Sequence, residues 1–577
     1  MRPVTSPQRE LIMPVTSSPK LPPRSAAARC LPTLRKGALA GVVLGLAGGF
    51  FGCNRAKSPP QVPVVAAKPV DLPKPPVPTD ETMFAYLNVR DPIPLIQQAG
   101  GTAYLERAVQ LGMKIADFQT GAPLLGFLWD PQGASVLEVP ALVLAPLPID
   151  GDMVGFIKKT SPGMRAIAVG GPNQQMTALS VGEAVQDRLK AGSGEFLALA
   201  QARQPFDVTL HINAAAIMEK YGPMLRVGLQ AMGPAIAQAA AQGRSATTLS
   251  PKSTVAMFEQ MLNGLEDLKA ITLGANLTQT ELSLTSLTRT RSGDPKKGGP
   301  IAAPDLAQFV PPGDLKLQWS TRELKQSIDW YLRLYGGFLA EKPELKKQID
   351  ETVQDWLKAG QSIDAAASMS FGKNGLVFQG IMRVDNSVAA MAALRRSMRL
   401  FAGGPVSDLY KSLGVELTIK NQQGVRKLRG NVVDRYEYSF KAGGGNVPVE
   451  PAAKAMLEKL SGLSYEVMQT GPYLVYSIGA PLETVADPLF DGQGPYPMNS
   501  RKLFPAGGSL YLELDLAAVL RWIKTLVPAD QGQRLPSLPA RGSVISVWSY
   551  DSGAVSYQKV HVPISLVDRI TGNNQMM

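Results

Sequence analysis

One short pattern occurs four times in the 577 residues and restricts the fold more than any other feature of the chain. Each copy is a five-residue stretch of alternating apolar and polar side chains with leucine at its centre. A proline precedes the stretch, and a residue suited to capping a helix follows it. The pattern predicts a half-buried strand, a tight turn and a helix. The four stretches are 85–89, 208–212, 315–319 and 510–514.

The same alternation predicts which side chains face the core. Because successive side chains of a strand point to opposite faces, we place the leucines inward and their neighbours outward, toward water. The outward set is Tyr86, Asn88, His211, Gln318, Tyr511 and Glu513.

A second recurring unit is a pair of alternating stretches separated by a turn signal. Asn374-Gly375 and Asp551-Ser552-Gly553 are strong signals, since glycine accepts a positive φ. The predicted hairpins are 366–371 with 376–384, 544–550 with 554–562, 271–277 with 281–287, and 126–129 with 135–144. Long helical patterns at 214–242, 251–268, 322–359 and 386–402 fill the intervals.

These units predict an α+β fold made of two divergent copies of an antiparallel sheet with helices packed on one face. The copies span 80–290 and 305–568, with a Gly/Pro-rich linker at 291–304 and a tail at 569–577. The body resembles a group of secreted bacterial proteins known only as a domain of unknown function. That group has recurring strand–helix units and frequent lipoprotein leaders, and the resemblance implies no catalytic residues.

The N-terminus carries a targeting signal. Residues 37–52 are sixteen uncharged residues, six of them glycine, that follow Leu34-Arg35-Lys36. A basic segment followed by a short apolar run is typical of a secretory signal, and a membrane-spanning helix needs about 20 residues. Residues 1–53 hold seven Lys or Arg and one acid, half of the net charge of +12. The basic bias therefore belongs largely to a leader, and we predict no nucleic-acid partner.

The apolar run ends in Gly52-Cys53, which resembles a bacterial lipoprotein signal. In that family the cysteine is acylated and becomes the mature N-terminus, so the resemblance makes Cys53 the lipidation site. Phe50 and Phe51 depart from the pattern, and an uncleaved membrane anchor and ordinary signal cleavage stay open. Residues 54–79 contain eight prolines and predict an extended tether that holds the body away from a bilayer. We therefore predict a membrane-anchored protein of the bacterial envelope, periplasmic or surface-exposed.

The body offers few groups for catalysis. Cys30 and Cys53 both precede it, so it has no disulfide, thiolate metal site or cysteine nucleophile. His211 and His561 are expected on the surface. Ser556 and Lys559 have the spacing of a Ser/Lys nucleophile pair, but a strand places them on opposite faces. The glycine cluster Gly443–445 is expected to form a loop because Pro448 follows it. The carboxylates Asp487 and Asp491 are the remaining candidates. We predict no enzyme, metal or cofactor, with a cell-envelope hydrolase that uses carboxylates as the alternative.

Two features could serve binding. The first is the apolar face of helix 214–242, for which packing on the sheet is favoured; it comprises Ile217, Met218, Tyr221, Leu225, Leu229, Met232 and Ile236. The second is a basic group that could meet anionic head groups or glycans, although a solvated hairpin tip is favoured; it comprises Lys420, Arg426, Lys427 and Arg429 around 421–424. We predict a non-enzymatic lipoprotein that encloses an apolar ligand or presents its surfaces to an envelope partner.

Overall fold

The computed structural model describes residues 61–567 with short gaps, the longest of which are 131–140, 170–175, 242–249, 294–298, 443–453 and 526–531. The leader with Cys53, residues 54–60 of the tether, the loop Gly443–445 and the tail 569–577 lie outside the described residues. All described residues belong to one compact unit.

The described strands number twenty. Their bounds are β1 Val64–Val65, β2 Met83–Val89, β3 Leu124–Trp129, β4 Ala141–Ala145, β5 Met164–Val169, β6 Met176–Val181, β7 Val208–Ile212, β8 Leu268–Leu277, β9 Glu281–Thr290, β10 Ala303–Pro304, β11 Leu315–Thr321, β12 Ile363–Gly372, β13 Gly375–Val384, β14 Val415–Leu428, β15 Asn431–Ala442, β16 Ser464–Thr470, β17 Tyr473–Ile478, β18 Leu510–Asp515, β19 Val544–Asp551 and β20 Val555–Pro563.

The α-helices of the described residues connect these strands. Their bounds are α1 Pro92–Gln98, α2 Thr102–Gln110, α3 Asp152–Thr160, α4 Ala184–Gln201, α5 Ala214–Ala241, α6 Pro251–Asp267, α7 Leu324–Leu334, α8 Gly336–Ala340, α9 Pro343–Lys358, α10 Ser387–Ala402, α11 Glu483–Asp491, α12 Ser500–Leu503 and α13 Leu516–Lys524. Short 3₁₀ helices occur at Ile115–Asp117 and Ala307–Phe309.

Eighteen of the strands form one antiparallel sheet. From edge to edge the order is β5, β6, β4, β3, β2, β7, β8, β9, β20, β19, β18, β11, β12, β13, β17, β16, β15, β14. The fold is therefore α+β, and the four repeated stretches and three of the four predicted hairpins are confirmed as strands. Of the hairpin 126–129 with 135–144, the structure shows β3 paired with β4 from 141 onward, and 135–140 lie outside the described residues. The pairing of β9 with β20 joins the two halves of the chain into one sheet.

Side-chain caps start some of the helices that follow the repeated strands. Asp515 Oδ1 accepts a hydrogen bond from the Ala518 N–H at 3.1 Å, and Asn213 Oδ1 accepts one from the Ala216 N–H at 3.2 Å. Local chemistry thus fixes the strand-to-helix turn. The predicted helix 322–359 is interrupted at 341–342, between α8 and α9, and residue 335, between α7 and α8, lies outside the described residues.

The prediction that helices pack on one face is wrong. Val185, Phe196 and Leu199 of α4 pack in a cluster with Leu142 and Leu144 of β4. Met153 and Val154 of α3 pack in another cluster with Val143, which points the opposite way from the same strand. Helices therefore cover parts of both faces.

The predicted inward and outward sides of the repeated strands are also reversed. Tyr86, Asn88, Gln318 and Tyr511 are each 0–1% exposed, whereas Leu87 of the same strand as Tyr86 is half-buried. The buried aromatic residues fill the two large core clusters, where Trp129 and Phe127 contact Phe196, and Trp548 contacts Phe504 and Tyr557. Aromatic rings supply more apolar area than leucine, which gives the physical reason that their side forms the core.

The proline-rich segment is attached to the body where it is described, at 61–65 and from 70 onward. The Val62 N–H donates to Tyr473 Oη at 3.2 Å, and β1 pairs with β10. Val70 and Leu72 pack against the larger core cluster. Residues between the prolines keep their N–H groups and apolar side chains, so the segment can dock without regular secondary structure.

Candidate functional site

A row of aliphatic side chains crosses the middle of the sheet on the face opposite the aromatic core. Leu87 lies opposite Leu210, and Leu210 opposite Leu273. Leu284 lies opposite Val560, and the register continues through β19 and β18 to β11. The row steps by two residues between β8 and β9, where Leu273 lies opposite Ser286 and Leu284 lies opposite Ala275. Leu273 and Leu284 are diagonal neighbours on the same face, so the row crosses eight neighbouring strands with one step. We call it the open row: Leu87, Leu210, Leu273, Leu284, Val560, Val547, Leu512 and Leu317.

The open row is unusually accessible for aliphatic residues in central strands. Leu273 and Leu284 are each 41% exposed, and the other six members are half-buried. At the usual spacing of neighbouring strands, eight strands extend about 34 Å. A contiguous apolar surface of this size is typical of a binding surface.

Different residues border the row on its two sides. One side continues with aliphatic residues: Leu277, Leu282, Val562, Ile545, Leu514 and Leu315. On the other side Ser286, Gln558 and Ser549 lie opposite one another at the β9–β20 junction. An uncharged polar group could therefore be hydrogen-bonded beside the middle of the row.

Helices α5 and α6, here called the helix pair, connect the end of β7 to the start of β8, two central strands of the sheet. The Tyr221 ring of α5 contacts the ring of Phe84 in β2, with 5.7 Å between ring centroids. Arg226 of α5 binds Glu266 of α6 at 2.6 Å. At its other end α6 reaches the helices that follow β11, where Ser250 bonds Glu341 and Gly337 approaches Ala256. The helix pair therefore bridges the two halves of the chain.

The predicted apolar face of helix 214–242 is divided between two environments. Met218 and Leu229 are buried, as expected for packing on the protein, whereas Leu225 is 42% and Met232 56% exposed. The Ile236 side chain lies outside the described residues. Packing on the sheet thus accounts for only part of that face.

Neither histidine is the surface residue that the sequence predicted. His211 Nδ1 lies 2.9 Å from Thr272 Oγ1, and burial, assisted by the charge of Arg289, lowers the pKa of His211. His561 Nδ1 lies 2.9 Å from Glu281 Oε2, and its ring meets Phe504 edge-on at 4.9 Å. In the described part of the chain no group of three or more His, Cys, Asp or Glu side chains could hold a metal ion.

The remaining catalytic candidates are not assembled into a site. Ser556 pairs with Thr288 and Lys559 with Thr285, so their side chains point to opposite faces of β20, as the strand prediction requires. Asp487 and Asp491 of α11 both bind Arg429, at 3.1 and 3.3 Å. These carboxylates serve an ion pair on the surface of the protein.

The basic group is partly neutralised within the chain. Arg426 binds Glu466 at 2.6 Å and also binds Glu483. The hydrogen bond from Arg426 lowers the pKa of the Glu483 carboxyl. The predicted tip at 421–424 is wrong, because Gln422 and Arg426 flank a bulge inside β14. The hairpin turns instead at Arg429 and Gly430, both with positive φ.

The sequence pattern missed a buried ammonium group on the aromatic face. Lys316 of β11 is 4% exposed, and its Nζ donates to the Tyr496 carbonyl oxygen at 2.8 Å. Burial lowers the pKa of Lys316 to about 8, and Glu513 and Asp305 partly oppose that shift. The alternation of β11 puts Lys316 on the same side as Gln318, the side that was expected to face water, which explains why it escaped notice.

Surface depressions of the described residues are lined by charged groups. One of about 520 Å³ lies beside α9 and is lined in part by Lys346, Asp350, Asp355 and Arg396. Another of about 220 Å³ lies beside β1, where Arg322 and Arg383 bind Asp364 at 2.9 and 3.2 Å. Among the helices that the structure describes, none has the length and apolar character to cross a membrane.

These features define an α+β protein with one long antiparallel sheet and an aliphatic row on its open side. The chain matches no protein-family profile and no curated protein. It is similar to a solved structure, crystal form I of TP0453, with 11% sequence identity and a TM-score of 0.17. The match covers 36% of this chain and 74% of that chain, and a TM-score this low carries no argument about fold or function.

Proposed function

We propose that the chain is a non-enzymatic lipoprotein of the bacterial envelope that binds an elongated apolar ligand, such as an acyl chain, along the open row. The observation that carries the proposal is that this row crosses eight strands from both halves of the chain on one face of the sheet, with a step of two residues between β8 and β9. Aliphatic side chains left accessible in the middle of a sheet gain free energy when an apolar ligand covers them, about 25 cal/mol per Å². The leader and Cys53 give the expected location at a bilayer, where acyl chains are abundant.

The order of the strands supports a further part of the proposal, that the body is two divergent copies of one unit. Outward from the β9–β20 junction one side runs β8, β7, β2, β3, β4, β6, β5. The other side runs β19, β18, β11, β12, β13, β17, β16, which is the same order relative to the chain. Hairpin β14–β15 is then an insertion in the second copy, and the open row would be shared equally by both.

Native mass spectrometry of the full chain, released gently from membranes, tests the binding proposal. We expect an additional mass that organic solvent extracts and that corresponds to a lipid or fatty acid. Leu273→Glu with Leu284→Glu should remove this mass, because two carboxylates would lie where the ligand is apolar. Val388→Glu is the matched control, since Val388 is 58% exposed on α10, away from the open row. A bare polypeptide mass in the wild-type protein would refute ligand carriage.

A further inference from the structure

The helix pair exposes a set of large apolar side chains that the open row does not include. Their exposed fractions lie between 40% and 65%, although residues of this kind are commonly buried. They are Met224, Leu225, Val227 and Met232 of α5 and Phe258, Met261 and Leu265 of α6.

The exposed side of α5 carries no charge over more than three turns. Between 223 and 235 the exposed residues are Pro, Met, Leu, Val, Gly and Ala, and Gln230 is the polar one among the described side chains. Arg226 falls within this range, but it is half-buried and bound to Glu266. On α6, Phe258, Met261 and Leu265 have the i, i+3, i+7 spacing that puts them on one face.

The opposite side of α5 is occupied by the protein itself. Met218 and Leu229 are each 8% exposed, and the Tyr221 ring meets the Phe84 ring edge-on. The helix pair therefore has one side packed on the body and one apolar side that no described residue covers, which is the arrangement of an amphipathic element at an interface.

The composition of this surface favours lipid over a protein partner. Protein interfaces combine an apolar centre with a polar rim and about one hydrogen bond per 100–200 Å². The exposed side of α5 offers one amide side chain for that purpose. A bilayer interface requires only apolar side chains that can enter the acyl boundary. A chain tethered to a bilayer also meets that surface at a high effective concentration.

We propose that the helix pair lies on the bilayer that holds the chain, with the apolar side chains of α5 and α6 in the boundary between head groups and acyl chains. This inference rests on the envelope location given above. The helix pair would be a second contact with the membrane, besides the lipid anchor. This contact would bring the part of the open row on β7 and β8 close to the lipid from which a ligand would come.

Photo-crosslinking from the acyl region tests this proposal. The full chain is reconstituted in vesicles of phosphatidylcholine in which a small fraction of the lipid carries a diazirine on its acyl chain. After illumination, mass spectrometry locates the modified peptides. We expect modification within 224–235 and 258–265. The same result is expected in vesicles of phosphatidylethanolamine with phosphatidylglycerol, because the surface carries no net charge.

Val227→Asp combined with Met232→Asp should lower the modification of the helix pair by about tenfold or more. Both residues are more than half exposed, so the fold should survive, which circular dichroism verifies. Val388→Asp, the matched control on α10, should leave the modification unchanged. Equal modification of the double variant and the wild type, or no modification of the helix pair in the wild type, would overturn the proposal.

The same spectra separate this inference from the proposed ligand. Modification at Leu273 and Leu284 without modification of the helix pair would support the open row and refute the membrane contact. Modification of the helix pair without modification of β8 and β9 would support the membrane contact and count against the ligand.

Discussion

Leu284 and Leu287 lie three residues apart in β9 and provide the sharpest test of which face of the sheet is the core. Leu284 belongs to the open row and is 41% exposed, whereas Leu287 belongs to the aromatic face and is 6% exposed. Both residues are leucine, and both lie in the same strand of the same hairpin. Replacing each with alanine therefore compares the two faces with little else changed.

The expected losses follow from burial. Leu287 packs in the cluster that contains Tyr557 and Tyr550, and truncation there leaves a cavity, so Leu287→Ala should lower the free energy of unfolding by about 3 kcal/mol. Leu284→Ala removes side-chain atoms that water already reaches and opens no closed cavity. Its cost should be about 1 kcal/mol or less. The difference of about 2 kcal/mol corresponds to a factor of roughly 30 in the folding equilibrium.

Guanidinium unfolding of the full chain, followed by tryptophan fluorescence, measures both variants. Because Trp548 and Trp129 are buried in the aromatic face, their emission reports loss of that core. The midpoints are compared at unchanged slope, which isolates the change in stability. Equal losses in the two variants, or a larger loss in Leu284→Ala, would show that the leucine side is the true core and would remove the basis for the open row.

Three further predictions concern other parts of the chain. Lys316→Met should abolish a rise in wild-type stability of about 3 kcal/mol between pH 8 and about pH 10.5, since the unfolded lysine binds its proton over that range and the buried one does not. Parallel pH curves of the two proteins would contradict this. Tyr473→Phe removes the acceptor of the Val62 N–H. Loss of this hydrogen bond costs about 1 kcal/mol, so amide hydrogen exchange at 61–65 should accelerate about fivefold. Unchanged exchange would show that the contact does not hold the segment. Cys53→Ser should abolish metabolic palmitate labelling and release the protein from membranes, and labelling that persists would rule out Cys53 as the lipidation site.

The local units of the fold could be predicted because each depends on neighbouring residues. The turn Asn374-Gly375 and the cap Asp515 act over two to four positions, so the sequence determines hairpin β12–β13 and the start of α13 without reference to the rest of the chain. The four leucine-centred strands and helix α10 followed from periodicity for the same reason. The turn of hairpin β14–β15 was misplaced at 421–424, because the glycine at 424 resembles a turn signal and in fact lies in the bulge inside β14.

The candidate site was only partly accessible from the sequence. Four leucines of the open row, Leu87, Leu210, Leu317 and Leu512, were singled out from the sequence, but they were assigned to the core. Period-two alternation divides a strand into two faces and does not state which face other elements cover. Coverage depends on where α4 and α11 pack, and those contacts join residues far apart in the chain.

The sequence alone determined the repeated strand–turn–helix units and the absence of cysteine from the body, since each depends on adjacent residues or on composition. It also predicts the leader, which stays a prediction. Only the tertiary structure decided that β9 pairs with β20, that the aromatic side of the sheet is buried, and that the helix pair exposes its apolar side. Residues 281–290 and 555–563 are separated by more than 260 positions, and pairing at that distance is selected by the packing of the whole sheet rather than by any local preference.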